Sequence, residues 1–379
     1  RFKDVATIDE FANEFMTYGV EKVNEGEVVR KTDDELEIDL GYCPLVAAWQ
    51  KLTDDEAFIH VDGKCDAAPF EQTLKDVPQA HFLCQRIPVY WGGYSAVEAT
   101  VQLLRAALLW EGQPFDRFVL LQGLDYPIRT NREIHAFLEK KTETEFLLAQ
   151  NISQCADPHE THKYSLYWFL DSKTKLWAKI WHKANSVLFL RSGRIPHWKK
   201  NYVRNQTGEK MDIYQGCAQF GVTRKLAEYL VRFHDENPGF NRYFRTMYAP
   251  DEAYFHTIVY NSPFAAHTPK GKAVASPHLT DFENLTYFEY PADVTLFTEK
   301  KDWPKLRDSG FLFFRKASSQ SKELLDFIDE QHRTQEKEEE STNPLPAADG
   351  KGHGQSSQTA QRQIRRASSD MPKSRNKGV

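Results

Sequence analysis

No Asp-x-Asp triplet occurs anywhere in the 379 residues. There is also no His-Glu-x-x-His pair and no Gly-x-Ser-x-Gly elbow, so a zincin-type metal site and an α/β-hydrolase nucleophile have no support in the sequence. Cysteine is scarce. The five residues Cys43, Cys65, Cys84, Cys155 and Cys217 contain no Cys-x-x-Cys pair, which argues against structural zinc. Their odd number neither requires nor forbids a disulfide. No apolar run is long enough to span a bilayer. Net charge is −5, from 49 basic and 54 acidic residues, so there is no cationic surplus for wholesale nucleic-acid binding. The chain opens at Arg1 with neither an initiator Met nor a leader-like segment. This is expected of a fragment or processed form, with membrane association only through a segment outside this sequence. What is present suits a packed core: 40% of residues are hydrophobic and 13% aromatic, enough for one large or two modest domains.

The organisation follows from periodicity. Residues 1–55 are acidic and polar, with a helix-like stretch from Ile8 to Tyr18. From Phe58 onward short apolar strands alternate with helical patterns. Ala96, Val97, Thr100, Val101, Leu104 and Leu108 recur three and four apart, as on a core-facing helix. Further helices are expected at Glu133–Lys141, Thr223–Asp235, Pro250–Tyr260, Asp302–Ser309 and Ser321–Gln331. A strand-helix-strand order predicts a right-handed crossover in a parallel sheet. No aromatic residue follows Phe327, and residues 332–379 are rich in Glu, Ser, Gln, Gly and Lys, so they read as a disordered tail after a folded region at 56–331. Asn151, Asn205 and Asn284 open glycosylation sequons, which matter only in a secretory compartment.

The stretch from Met247 to Ile258 carries the most chemistry. Asp251 and Glu252 follow Pro250 directly and precede the apolar positions Tyr254 and Ile258. Proline suits the first helical position, and a helix N-terminus favours an ionised carboxylate beside it. A positioned carboxylate can take a proton from a substrate hydroxyl. The competing reading is that both acids merely complement the helix dipole. Other segments end apolar strands in polar groups: Phe58–Lys64, with Asp62; Val89–Ser95, with Trp91, Gly92 and Gly93; Phe118–Ile128, with Asp125; and Gly310–Lys316, with Arg315 and Lys316.

In this order and at these separations the segments resemble the core-2/I-branching family of glycosyltransferases, over roughly residues 56–330. That family joins β-1,6-N-acetylglucosaminyltransferases with peptide O-xylosyltransferases. The resemblance implies an α/β fold of the GT-A type, with a mostly parallel central sheet flanked by helices. It implies an inverting transfer from a UDP-sugar, which is a co-substrate rather than a cofactor, to a hydroxyl of a glycan or glycoprotein acceptor. Basic side chains take the place of a metal. Glu252 would be the catalytic base. Lys316, in a motif like Phe-Ala-Arg-Lys-Phe, is the better match to the family's phosphate-binding lysine, with Arg315 on the opposite face by strand alternation. Asp62 would contact the uracil, Trp91 and the glycines after it the nucleotide side, Asp125 the ligand beyond a strand end, and Gly216 and Gln219 the donor sugar.

N-acetylglucosamine is the expected donor sugar. The alternative is xylosyl transfer to protein, because Asp125-Tyr126-Pro127-Ile128-Arg129-Thr130-Asn131 resembles the xylosyltransferase branch closely. Two departures support a third reading, a carbohydrate-binding pseudoenzyme. The family's opening strand is not found, Gly41–Trp49 being at most a remnant of the region after it. Thr286 also stands where a second phosphate-binding arginine is expected. A bacterial source would imply the cytoplasm, a eukaryotic one the Golgi or secretory lumen.

Overall fold

The computed structural model describes residues 26–31, 36–40, 55–64, 67–155, 163–168, 170–171, 202–273, 285–289 and 296–342. The expected Ile8–Tyr18 helix, Gly41–Trp49, Cys43, Cys65, Asn284 and residues 343–379 lie outside these.

The architecture is mixed α/β. The strands are β1 (Gly26–Lys31), β2 (Leu36–Leu40), β3 (Ala57–Ile59), β4 (Ala80–Phe82), β5 (Arg117–Leu120), β6 (Asp125–Pro127), β7 (Ala149–Asn151), β8 (Tyr214–Gly216), β9 (Phe220–Thr223), β10 (Thr286–Tyr287) and β11 (Phe313–Arg315). The helices are α1 (Ala68–Thr73), α2 (Ser95–Leu108), α3 (Asn131–Glu139), α4 (Arg224–Glu236), α5 (Pro238–Phe244), α6 (Tyr254–Tyr260), α7 (Trp303–Asp308) and α8 (Lys322–Thr342).

The pairing corrects the expected sheet. Among the described residues β3–β4 and β10–β11 are parallel, whereas β1–β2, β5–β9, β6–β11 and β7–β8 are antiparallel. They form separate short ladders rather than one mostly parallel sheet. The apolar run after Phe118 is also not one strand. Asp125 N–H donates to the Gln122 carbonyl, and Gln122 N–H to Asp125 Oδ2, which closes a turn between β5 and β6.

Helices α2, α3 and α4 fall where periodicity places them. On α2, Val97, Val101 and Leu104 are buried, in one core with Leu226 and Leu230 of α4, Phe240 and Phe244 of α5, and Tyr254 and Ile258 of α6. Thr223 caps α4 by accepting from Leu226 N–H. Thr130 and Glu133 form a reciprocal capping box on α3, the arrangement that satisfies two otherwise unpaired donors. The Asp125–Asn131 motif is therefore strand, turn and cap in succession. A second core joins Tyr126 and Ile128 to Phe297, Trp303, Phe314, Leu324, Leu325 and Ile328. Helix α8 runs to Thr342, past the boundary at 331, and His332 Nε2 lies 2.9 Å from the Ile128 carbonyl. Among the described residues no helix is long and apolar enough to cross a membrane.

Candidate active site

The acidic turn is built differently from a helix N-terminus. Ala249 is in the left-handed region, with φ 46°, a costly conformation for a residue with a Cβ. Its N–H donates to the Gly92 carbonyl at 3.0 Å, and Gly92 itself has φ 73°, where glycine is the unstrained choice. Pro250–Glu252 then forms a 3-10 turn, closed by Glu252 N–H to the Ala249 carbonyl and Ala253 N–H to the Pro250 carbonyl. Helix α6 begins only at Tyr254. The expected Pro250–Tyr260 helix is thus broken at Ala253, and the two acids precede α6 instead of forming its first turn.

Gln215, Tyr248 with Trp91, and the charge of Arg315 lie about this turn. Glu252 Oε2 accepts from Gln215 Nε2 of β8 at 2.9 Å. Burial pushes the Asp251 carboxyl above the usual range, against the pull of its own and Glu252's backbone N–H groups and of the Arg315 charge. Desolvation thus works against the expectation that a helix end keeps this acid ionised. Burial, with Glu252 and Asp251 adding to it, likewise pushes up the Tyr248 hydroxyl. Tyr248 packs edge-on to Trp91 at 5.8 Å and against Trp168 at 5.1 Å. Trp91 is 82% exposed, so a large aromatic face stands in solvent beside the acidic turn.

Arg315, at the end of β11, donates through Nη1 to Asp125 Oδ1 at 2.8 Å. Asp125 has no solvent exposure. Burial raises its carboxyl, while the Arg315 charge, Gln122 and Gln219 draw it back down. Gln219 Nε2 also donates to Gln122 Oε1 at 3.1 Å. Asp125, expected to face the ligand, is sealed from solvent and holds the Arg315 guanidinium. The Arg315 guanidinium faces Asp125, and its charge also acts on Asp251. Lys316 is half-buried, and its carbonyl accepts from Phe297 N–H at 3.2 Å.

Asp62 lies just after β3. Its Oδ1 accepts from Val89 N–H at 2.9 Å and Lys64 N–H at 3.0 Å, and its Oδ2 pairs with Lys64 Nζ. It locks the turn after β3 to the loop that carries Trp91. Gly216 has a packing reason: a Cβ there would sit 2.0 Å from the Leu148 carbonyl and 2.6 Å from His256 Nε2. It admits His256 against β8, which accounts for the glycine without a donor sugar. Thr286 is buried on β10, and its Oγ1 has no partner among the described residues. No group of three or more His, Cys, Asp or Glu among those residues could hold a metal ion.

Gln215, Gln122, Tyr248 and His256 were not singled out from sequence. The available signal was polar Gln215 beside Gly216 in a short buried strand. His256 is wholly buried, and neither ring nitrogen has a hydrogen-bond partner among the described residues. Desolvation pushes it down to about 3, so it is neutral in the folded protein and charges on unfolding below its ordinary 6.5. Stability is then fully present above 6.5 and lost as pH falls toward 3, at about 1.4 kcal/mol per unit. His256→Leu should flatten the dependence of urea midpoint on pH between those values. An unchanged slope would move the acid sensitivity to other groups.

An acidic turn, an exposed aromatic side chain and a half-buried arginine lie near one another here. Residues 41–283, more than half of the chain, match the core-2/I-branching enzyme family, and the chain belongs to that family of glycosyltransferases. Arg315 and Lys316 lie beyond the matched residues. Among characterised proteins it is similar to xylosyltransferase 1 of Rattus norvegicus, 26% identical over 209 residues that cover 54% of this chain and 22% of that protein. Xylosyltransferase 2 of Mus musculus is 28% identical over 182 residues, 48% and 18% of the two chains. Xylosyltransferase 2 of Homo sapiens is 26% identical over 208 residues, 54% and 21%. The match thus spans about a fifth of the length of these relatives.

Proposed function

We propose that this chain transfers a sugar from a UDP-sugar to an acceptor hydroxyl with inversion, on a GT-A type scaffold. The observation that carries the reading is the placement of Glu252, on a clamped turn beside exposed Trp91, with the Arg315 charge within reach of its neighbour Asp251. Glu252 takes the acceptor proton as the oxygen attacks the anomeric carbon in line. The bond from that carbon to the diphosphate oxygen breaks, and its electron pair leaves with UDP. Arg315 and Lys316 oppose the charge that develops on the diphosphate, the kind of stabilisation that is strongest where the donor is already oriented. Asp125, Gln122 and Gln219 orient Arg315. Trp91 and the Asp62-locked loop border the nucleotide side.

N-acetylglucosamine and xylose remain the two donor readings. Similarity to three proteins named xylosyltransferases and the Asp125–Asn131 motif favour xylose, with a protein or glycan acceptor.

A donor screen tests both points. UDP-xylose and UDP-N-acetylglucosamine are supplied separately, and hydrolysis or transfer is scored with and without excess EDTA. We expect one donor to be turned over at least tenfold faster than the other, with the rate retained in chelator. Complete loss in EDTA, restored by manganese, would show that acids of this chain assemble a metal site and would end the metal-independent reading. No turnover of either donor, together with no UDP heat in calorimetry, would remove the transferase reading itself.

A further inference from the structure

We propose that Gln215 is a positioning residue for this reaction: its side-chain amide fixes the plane of the Glu252 carboxylate for proton abstraction. The proposal rests on the base role assigned to Glu252 above.

Gln215 is 2% exposed, and its Nε2 donates to Glu252 Oε2 at 2.9 Å. Its Oε1 is buried with no partner among the described residues. A buried, unpaired amide carbonyl is destabilising, so folding alone does not favour glutamine over an apolar residue here. The one bond its side chain is shown to make goes to the candidate base.

The surroundings make that bond a rigid one. On one side of Gln215, Tyr214 N–H donates to Thr257 Oγ1 of α6 at 3.1 Å. On the other, Gly216 lets β8 close on Leu148 and His256, where no side chain would fit. Across the ladder Gln150 pairs with Gln215 in antiparallel register. The other end of the bond is equally fixed, because the Glu252 turn hangs from Ala249, whose N–H is tied to Gly92. The strand that carries Gln215 and the turn that carries Glu252 are each held by their own backbone contacts, and the Gln215–Glu252 bond joins them. A hydrogen bond from a fixed donor to a carboxylate sets the rotation of that carboxylate, and near-attack geometry tolerates little misplacement.

The test is a double-mutant cycle. Gln215→Leu and Gln215→Asn, the latter keeping the amide but shortening its reach, are measured alone and in the Glu252→Gln background. Each is assayed with the donor that the screen identifies, at raised enzyme concentration in the slow background. Alone, each substitution should lower kcat about 10–100-fold, the usual worth of one charge-assisted hydrogen bond, and leave the donor KM within about twofold. In the Glu252→Gln background the same substitutions should cost less than about twofold, because no base remains to be positioned. Equal losses in both backgrounds, or a change in KM alone, would overturn the proposal and make Gln215 a packing residue. Should Gln215→Leu fail to fold, Gln215→Asn keeps a polar amide at the site and decides the matter by the same comparison. A fully active Glu252→Gln enzyme would instead sink the base assignment, and that outcome is read from the single variant without reference to Gln215.

Discussion

Glu252→Gln should lower kcat by about 10²–10⁴-fold, the range over which a positioned general base contributes, while UDP affinity stays within about twofold. The substitution keeps the size of the side chain and its place on the Pro250–Glu252 turn. It removes the lone-pair basicity that the acceptor proton needs. Asp251→Asn is the matched control. Asp251 is raised by burial and feels the charge of Arg315, so its loss should be smaller and should appear in stability more than in rate. Kinetics with saturating donor, set beside UDP calorimetry for both variants, separate the two acids. Equal losses from the two, or an active Glu252→Gln enzyme, would remove Glu252 from the role.

Arg315→Ala should be the most damaging change to the scaffold as well as to transfer. It leaves Asp125, which is without solvent exposure, as an uncompensated buried carboxylate, and breaking such a pair typically costs about 3–5 kcal/mol. The pH dependence has a definite sign. Asp125 is already raised by burial, with Arg315 drawing it back, so removing Arg315 raises it further. A carboxyl raised in the folded state contributes stability that is present below its unfolded value and lost as pH rises through the folded one. The variant should therefore be most destabilised near neutrality and recover on acidification toward pH 4, measured as urea midpoints. Pairing it with Asp125→Asn should restore much of the stability but not the transfer rate, since no guanidinium faces the diphosphate. A single variant as stable as the parent at every pH would show that Arg315 contributes nothing to holding the buried Asp125 charge. Lys316→Ala, lacking this buried counter-charge, should lower transfer with a smaller loss of stability.

How much of this was legible in the residues depends on range. Helices α2, α3 and α4 were readable because each carries its own apolar spacing, and two of them their own Thr caps at Thr130 and Thr223. The strand just before Asp62 was legible for the same local reason, whereas the end of β5 at Leu120, ahead of the turn to Asp125, was not. Strand direction was not. β5 meets β9 across some hundred residues, and nothing within either strand states whether its partner runs with it or against it. The break at Ala253 was hidden because it originates in a contact from Ala249 to Gly92, far away in sequence. Burial was the other blind spot. Asp125 resembles a ligand contact in sequence, and only the closure of β6 against β11 shows that it is sealed and paired with Arg315. Gln215 and His256 carry no motif, and they become informative only as polar groups without full partners in a dry place.

The position of β11 between β10 and β6 has a consequence for where this protein can be divided. The family match ends at residue 283, yet the strand that supplies Arg315 is stitched into the middle of a ladder whose edge, β6, belongs to the matched part. A chain cut at that boundary would leave β6 with an open edge and would wet the faces of Tyr126 and Ile128 that now meet Phe297, Phe314 and Leu324. Unpaired edges next to exposed apolar surface invite self-association. A chain ending at residue 283 should therefore self-associate, and one that reaches through α8 should not, a difference that size-exclusion chromatography of the two would read.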